Sequence, residues 1–281
     1  MSMTAEPITA ETKLPFVEAE LTYLGAMSEK PFNYTYGPPP GKPLTNHVYD
    51  PHRVHIHDVR ALASAATLDR EGFAILEHPT ACNDLYDEDQ LRRVYYPECE
   101  AAVAEATGAS RVIVFDHTLR RRAPIADRTP GVPRQPVARV HNDYTETSGP
   151  QRVRDLMGAE AEALLRGRYA FINLWRPISG PVVDMPLAYC DARSVAYADF
   201  VGSDLIYADR RGETYAVRYR PTHRWFYAPL MRRDEAVLLK CFDSARSGVA
   251  RFAPHSAFVD PNTPKDAPPR ESIEIRTIAF W

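Results

Sequence analysis

His141-Asn142-Asp143 near mid-chain, His255 far downstream and Arg270-Glu271-Ser272 soon after it are the residues whose types and spacing suit chemistry. Two imidazoles and one carboxylate form a facial triad. Such a triad holds one side of a ferrous ion and leaves its other positions open for a co-substrate and O2. A guanidinium fork beside a hydroxyl offers a bidentate ion pair plus one more hydrogen bond. That is what the distal carboxylate of 2-oxoglutarate needs. The set implies His141, Asp143 and His255 as metal ligands at a catalytic centre, with Arg270 and Ser272 gripping 2-oxoglutarate. Arg276 falls on the same strand face as Arg270 by period-2 alternation and could serve in its place.

Each feature alone is weak. H-x-D arises by chance in a chain with nine histidines. His255 alone could be a core histidine, and Arg270 alone an edge-strand arginine in a surface ion pair. Only the joint placement carries weight. His52, His55 and His57 form a rival cluster, but no carboxylate-bearing barrel strand accompanies them. His223 competes as third ligand and ranks second, because no Arg-x-Ser strand follows it at a suitable distance.

The positioning elements follow from the patterning. VARVHNDY (137–144) alternates, which puts His141 and Asp143 on one face of a strand end. RFAPHSAF supplies His255 from a later strand, and RESIEIRTIAFW is the last strand. A Pro-rich arm over 1–45 contains one short strand at 18–24 and is expected to pack along the surface. Further strands are predicted at 72–76, 111–119 and 169–175, with helices over 87–106 and 151–167. A hairpin over 204–220 is expected to turn at Arg211-Gly212. About seven short strands separated by turn signals argue for a sandwich or jelly roll.

Composition bounds the rest. Hydrophobic residues make up 44% and charged residues 25% of 281, ordinary for a globular chain. A net charge of −3 advertises neither nucleic acid nor an acidic membrane, and Arg120-Arg121-Arg122 is too small a knot to change that. No run approaches the ~20 apolar residues of a membrane span. The N-terminus lacks the pattern of a secretion signal. Cys82, Cys99, Cys190 and Cys241 are scattered, as reduced thiols of a cytoplasmic protein would be. We expect one domain over 1–281. Its parts are the arm (1–45), helices and first strands (46–136), and a metal-binding core (137–281). The arm could wrap a second copy in a homo-oligomer or pack on its own barrel.

Longer strings carry a resemblance. LDREGFAILEHPT, VIVFDHTLR, VHNDYTETSGPQRVRDL, INLWRPISGPVVDMPLAYCDARSV, YRPTHRWFYAP, LLKCFDS, RFAPHSAF and PPRESIEIR together resemble the CmcJ/AsaB-like family of secondary-metabolism oxidases, from about residue 20 to the end. The resemblance implies a mainly β fold with flanking helices, a double-stranded β-helix (jelly-roll, cupin-like) barrel. It also implies Fe(II), 2-oxoglutarate and O2 acting on a small-molecule substrate by hydroxylation, desaturation or ring formation. By position it gives His141, Asp143 and His255 as iron ligands and Arg270 and Ser272 on the co-substrate. Asn173, Trp175 and Arg176, and Tyr207, Tyr219 or His223, are further candidates for the pocket. His223 to Tyr227 could wall a substrate site or form core. Two rival functions stand beside this one: a cupin-like metalloenzyme without 2-oxoglutarate, and a non-catalytic partner of another biosynthetic enzyme.

Overall fold

Apolar residues recur with period 2 along most of the chain, and the strands they form assemble into two sheets. The computed structural model describes residues 14–123 and 132–281; residues 1–13 of the expected arm lie outside these. The smaller sheet runs β4 (Phe73–Glu77), β12 (Glu235–Asp243), β7 (Tyr169–Pro177), β14 (Glu271–Phe280) and β5 (Arg111–Arg121). All its pairings are antiparallel. The larger sheet runs β1 (Phe16–Leu24), β3 (Tyr49–Asp58), β11 (Trp225–Tyr227), β8 (Leu187–Cys190), β13 (His255–Ala257), β6 (His141–Asn142), β10 (Arg211–Val217), β9 (Phe200–Ile206) and β2 (Phe32–Tyr34). Only β3/β11 and β2/β9 pair in parallel. Two facing sheets of mostly antiparallel strands are the jelly roll that the sequence leads one to expect.

The core lies between the sheets. Phe73, Phe171, Trp175 and Leu239 of one sheet meet Tyr189, Tyr215 and Phe226 of the other. Each large apolar side chain so buried contributes about 1.5–3 kcal/mol. The far face of the smaller sheet is covered by a helical segment. It consists of α1 (Glu88–Gln90), a π turn (Leu91–Tyr95) and α2 (Tyr96–Thr107). Leu91, Tyr95, Cys99 and Val103 pack there on Ile172, Leu174, Leu238 and Ile273. The Asp87 carboxylate caps the start of the segment, accepting from the backbone N–H groups of Asp89 and Gln90.

Four expectations need correction. The strand over 137–144 contracts to the two residues of β6. The segment bridges several partners instead of following one: Val140 N–H donates to Thr22 O, and Ala257 N–H to Val137 O, both at 2.8 Å. The hairpin turns at 207–210, since Ile206 already pairs with Arg211. The helix over 151–167 is α3 (Ser148–Met157), broken at Gly158 with φ 51° before a short 3-10 turn and α4 (Ala161–Leu164). The N-terminal segment does more than lie on the surface. It supplies β1 and β2, and β1 buries Leu21 and Tyr23 on one face. Among the described residues no helix is long and apolar enough to cross a membrane.

Candidate active site

The pairing of β6 with β13 sets His141 directly opposite His255. Facing residues of an antiparallel pair bring their side chains close, and the two rings stand 4.5 Å apart between centroids. Asp143 follows two residues after His141 and turns its carboxylate to the same side. Its Oδ1 lies 3.6 Å from His141 Nε2 and 4.0 Å from His255 Nε2. One donor atom from each residue falls within 4.8 Å of the others, close enough to share one ion. Among the described residues no other group of His, Cys, Asp and Glu side chains does this.

Both histidines are pinned in the same way. His141 Nδ1 donates to Arg139 O at 2.9 Å, and His255 Nδ1 to Ala253 O at 3.0 Å. A carbonyl can only accept, so each Nδ1 carries the proton and each Nε2 keeps its lone pair for a metal. Burial pushes the His141 imidazole down to about 3, with the neighbouring His255 adding to the effect and Asp143 opposing it. For Asp143, burial alone would raise the carboxyl. His255, Arg276 and His141 together pull it well below the usual carboxylate range. The shifts keep the His141 imidazole neutral and the Asp143 carboxyl ionised, the forms in which each can bind a metal. Asn173 steadies them from β7: its amide nitrogen donates to Asp143 Oδ2 at 2.7 Å and to Glu274 Oε1 at 2.6 Å.

Two cavities meet at this group. The smaller is lined by His141, His255, Trp175, Arg120, Arg270 and Glu274. At one end Arg270 is buried, its guanidinium 5.4 Å from the Trp175 ring and its Nη1 donating to Met185 O at 2.5 Å. Arg270 Nε and the fully buried Ser272 Oγ have no hydrogen-bond partner, so donors stand ready beside this cavity. Burial and the nearby Arg120 push Arg270 down to about 9, against Asp184 and Glu274. The larger cavity, about 1390 Å³, is lined by His141, Asp143, Arg276 and residues of β1, β2 and the β9–β10 turn.

The registers of β14 explain which arginine is free. Arg276 sits between Asp116 of β5 and Asn173 of β7. Its Nη1 donates to Asp116 Oδ1 and Thr118 Oγ1, each at 2.9 Å, and its Nε lies 3.6 Å from Asp143 Oδ2. Burial works against its charge, yet Glu274, Asp116 and Asp143 hold it well above the usual value. Arg276 is thus committed to carboxylates of the protein, while Arg270 is not.

Other candidates fall in different places. Trp175 lines the smaller cavity and Tyr207 the larger. Asn173 lines neither, standing behind Asp143. Arg176 points to the helix-covered face, where its Nη2 donates to His78 O and its guanidinium lies 5.1 Å from the Tyr95 ring. His223 is 3.2 Å from Asp199 and stacks on Tyr23, and Tyr219 stacks on His52, in a separate cluster. Trp225, Phe226 and Tyr227 are core. Sequence reasoning missed Arg120 and Asp116 as site residues. Both lie on a recognised strand, but only the pairing of β5 with β14 sets them opposite Ser272 and Arg276.

Comparison with known proteins adds the context. Residues 21–280 match the family model described as an oxidoreductase/YMDC permease-like domain. The chain is 30% identical to the Fe(II)/2-oxoglutarate-dependent dioxygenase nvfI of Aspergillus novofumigatus over 96% of each chain. It is 31% identical to the hydroxylase/desaturase efuI of Hormonema carpetanum over 98% of each. Among solved structures, it is similar to the iron and alpha-ketoglutarate-dependent endoperoxidase NvfI, with TM-score 0.85 and 29% identity, over 94% of this chain and 98% of that one.

Proposed function

The chain belongs to the oxidoreductase/YMDC permease-like family and is an Fe(II)/2-oxoglutarate-dependent oxygenase of small-molecule secondary metabolism; from that premise we propose that His141, Asp143 and His255 hold the iron and that Arg270 and Ser272 anchor 2-oxoglutarate. The observation that carries this assignment is the facing pair of histidines, each with Nδ1 tied to a carbonyl and Nε2 turned toward Asp143. When bound, the ion with 2-oxoglutarate and O2 supplies the oxidation of a substrate C–H bond, and succinate and CO2 are the other products.

The residues do the positioning. Asn173 fixes the Asp143 carboxylate by one hydrogen bond. Trp175 and Leu239 wall the smaller cavity with apolar surface, which keeps water from the co-substrate and strengthens the Arg270 ion pair. The hydrogen bonds of Arg276 to Asp116 and Thr118 favour Arg270 over it as the anchor. The larger cavity receives the substrate on the Asp143 side, so the carbon to be oxidised is presented to the metal's open face. Hydroxylation, desaturation or ring closure then follows from how that carbon is held. All four cysteines are buried and free, which supports a cytoplasmic setting.

The test is an anaerobic titration of metal-free protein with Fe(II) and then 2-oxoglutarate, read by the weak visible charge-transfer band of the chelate. We expect the band in the parent, its loss in His255→Ala, and a shift to higher 2-oxoglutarate in Arg270→Ala. A parent that binds iron stoichiometrically without the band would refute the assignment.

A further inference from the structure

Besides the metal-binding group, the larger cavity is lined by arginines, and nearly all are already occupied. Asp116 takes Arg276 at 2.9 Å and lies 3.9 Å from Arg152. Arg120 donates to Gln135 O at 3.0 Å, and Arg210 stacks on the Tyr207 ring at 3.7 Å. Arg134 is exposed to water. Arg139 differs from them all. It is partly buried and lines the cavity, and its guanidinium has no hydrogen bond or ion pair among the described residues. Its own carbonyl accepts from His141 Nδ1, so its backbone is tied to the candidate ion-binding group. The same cavity is also lined by Tyr34, Tyr36 and Tyr49, the last 53% exposed.

Tyr49 and Asp143 act on the Arg139 charge, but neither is in hydrogen-bond or ion-pair contact with it. A guanidinium drawn partly out of water with no acceptor in contact costs stability, and a planar carboxylate that accepts two parallel hydrogen bonds offsets that cost. Aromatic walls favour a flat, apolar body. We propose that Arg139 is a substrate-anchoring residue and that the enzyme acts on an aromatic or polycyclic carboxylic acid, gripped by its carboxylate while another carbon faces the triad. This rests on the assignment of the larger cavity to the substrate. A cavity of about 1390 Å³ is far larger than a five-carbon dicarboxylate needs, which supports a second, bulkier occupant.

The probes are 2-naphthoate and its methyl ester, whose binding is measured by equilibrium dialysis. Metal-free protein and the anaerobic Fe(II)/2-oxoglutarate complex are compared for the parent, Arg139→Met, Arg139→Gln and Arg139→Lys. The parent should prefer the acid by about tenfold or more, the preference should fall to within about twofold in the Met and Gln variants, and Lys should keep part of it. Without ligand, Arg139→Met should melt no lower than the parent, because it removes a partly buried charge that makes no hydrogen bond or ion pair and keeps an apolar stem of similar length. Its 2-oxoglutarate titration should be unchanged. No acid preference in the parent, or a preference that survives in both Met and Gln, would overturn the proposal. So would a rightward shift of the 2-oxoglutarate titration in those variants, since Arg139 would then serve the co-substrate. A parent lacking the charge-transfer band would defeat the iron assignment alone, and dialysis on metal-free protein would still decide the role of Arg139.

Discussion

One amide group, on Asn173, touches both Asp143 and Glu274 and so links the proposed metal-binding carboxylate to the wall of the smaller cavity. Outer partners of this kind commonly change metal affinity by about 10–100-fold. Asn173→Ala should therefore weaken Fe(II) binding by about tenfold, measured by competition with a chelator; unchanged affinity would show that Asp143 needs no such support. At Arg270 the geometry of the fork matters more than its charge. Lysine keeps the charge but loses the planar pair of donors, so Arg270→Lys should raise the half-saturating 2-oxoglutarate concentration by about tenfold or more. Ser272→Ala removes one neutral hydrogen bond and should cost less than that. These roles were partly legible in the sequence. His141 and Asp143 share a side by i, i+2 spacing alone. That Arg276 is occupied was not legible, because its partners Asp116 and Thr118 lie some 160 positions away along the chain.

Elements, rather than single residues, decide whether His255 meets His141. The segment bearing His255 is braced by Gly72, just before β4. Gly72 has φ +86°, and a Cβ there would stand 3.0 Å from Ala253 Cβ and 3.3 Å from Ala192 Cβ. Gly72 O accepts from Lys240 N–H, and Lys240 O accepts from Ala253 N–H. Ala253 O in turn fixes His255. Gly72→Ala should thus cost about 1–3 kcal/mol through backbone strain and loosen iron binding in the same variant. Calorimetry and iron titration together test this, and a variant that melts normally would refute it. Strand positions at 18–24, 72–76, 111–119 and 169–175 follow from local composition and were readable. Register was not. A two-residue strand such as β6 has no alternating pattern of its own; its place comes from Thr22, Ala257 and the β10 pairing, which no local window contains.

At the scale of the whole molecule, several histidines sit where burial opposes their charge. His47 is driven down to about 4, and His78, His117 and His223 are also lowered, burial being the first cause in each. Their folded values lie below the unfolded value of about 6.5. On acidification the unfolded chain takes up protons first, so stability present above about pH 6.5 is lost as pH falls toward 4. The metal-free protein should accordingly melt at steadily lower temperature between pH 7.5 and 5, and a flat or rising profile by calorimetry would contradict the burial of these groups. The jelly roll itself was legible from the count of short strands and their turns.

The larger cavity takes part of its wall from Thr22 of β1, Tyr34 of β2 and the 207–210 turn, whereas the proposed metal ligands come from β6, the residue after it and β13, and the proposed anchor Arg270 from the residue before β14. Part of the cavity wall is thus written in stretches of the gene that carry no triad residue, whereas Arg139 lies only two positions from His141. Exchanging those stretches between relatives would reshape one side of the cavity while Arg139 and the proposed metal ligands stay together, which makes the scaffold a starting point for building new biocatalysts.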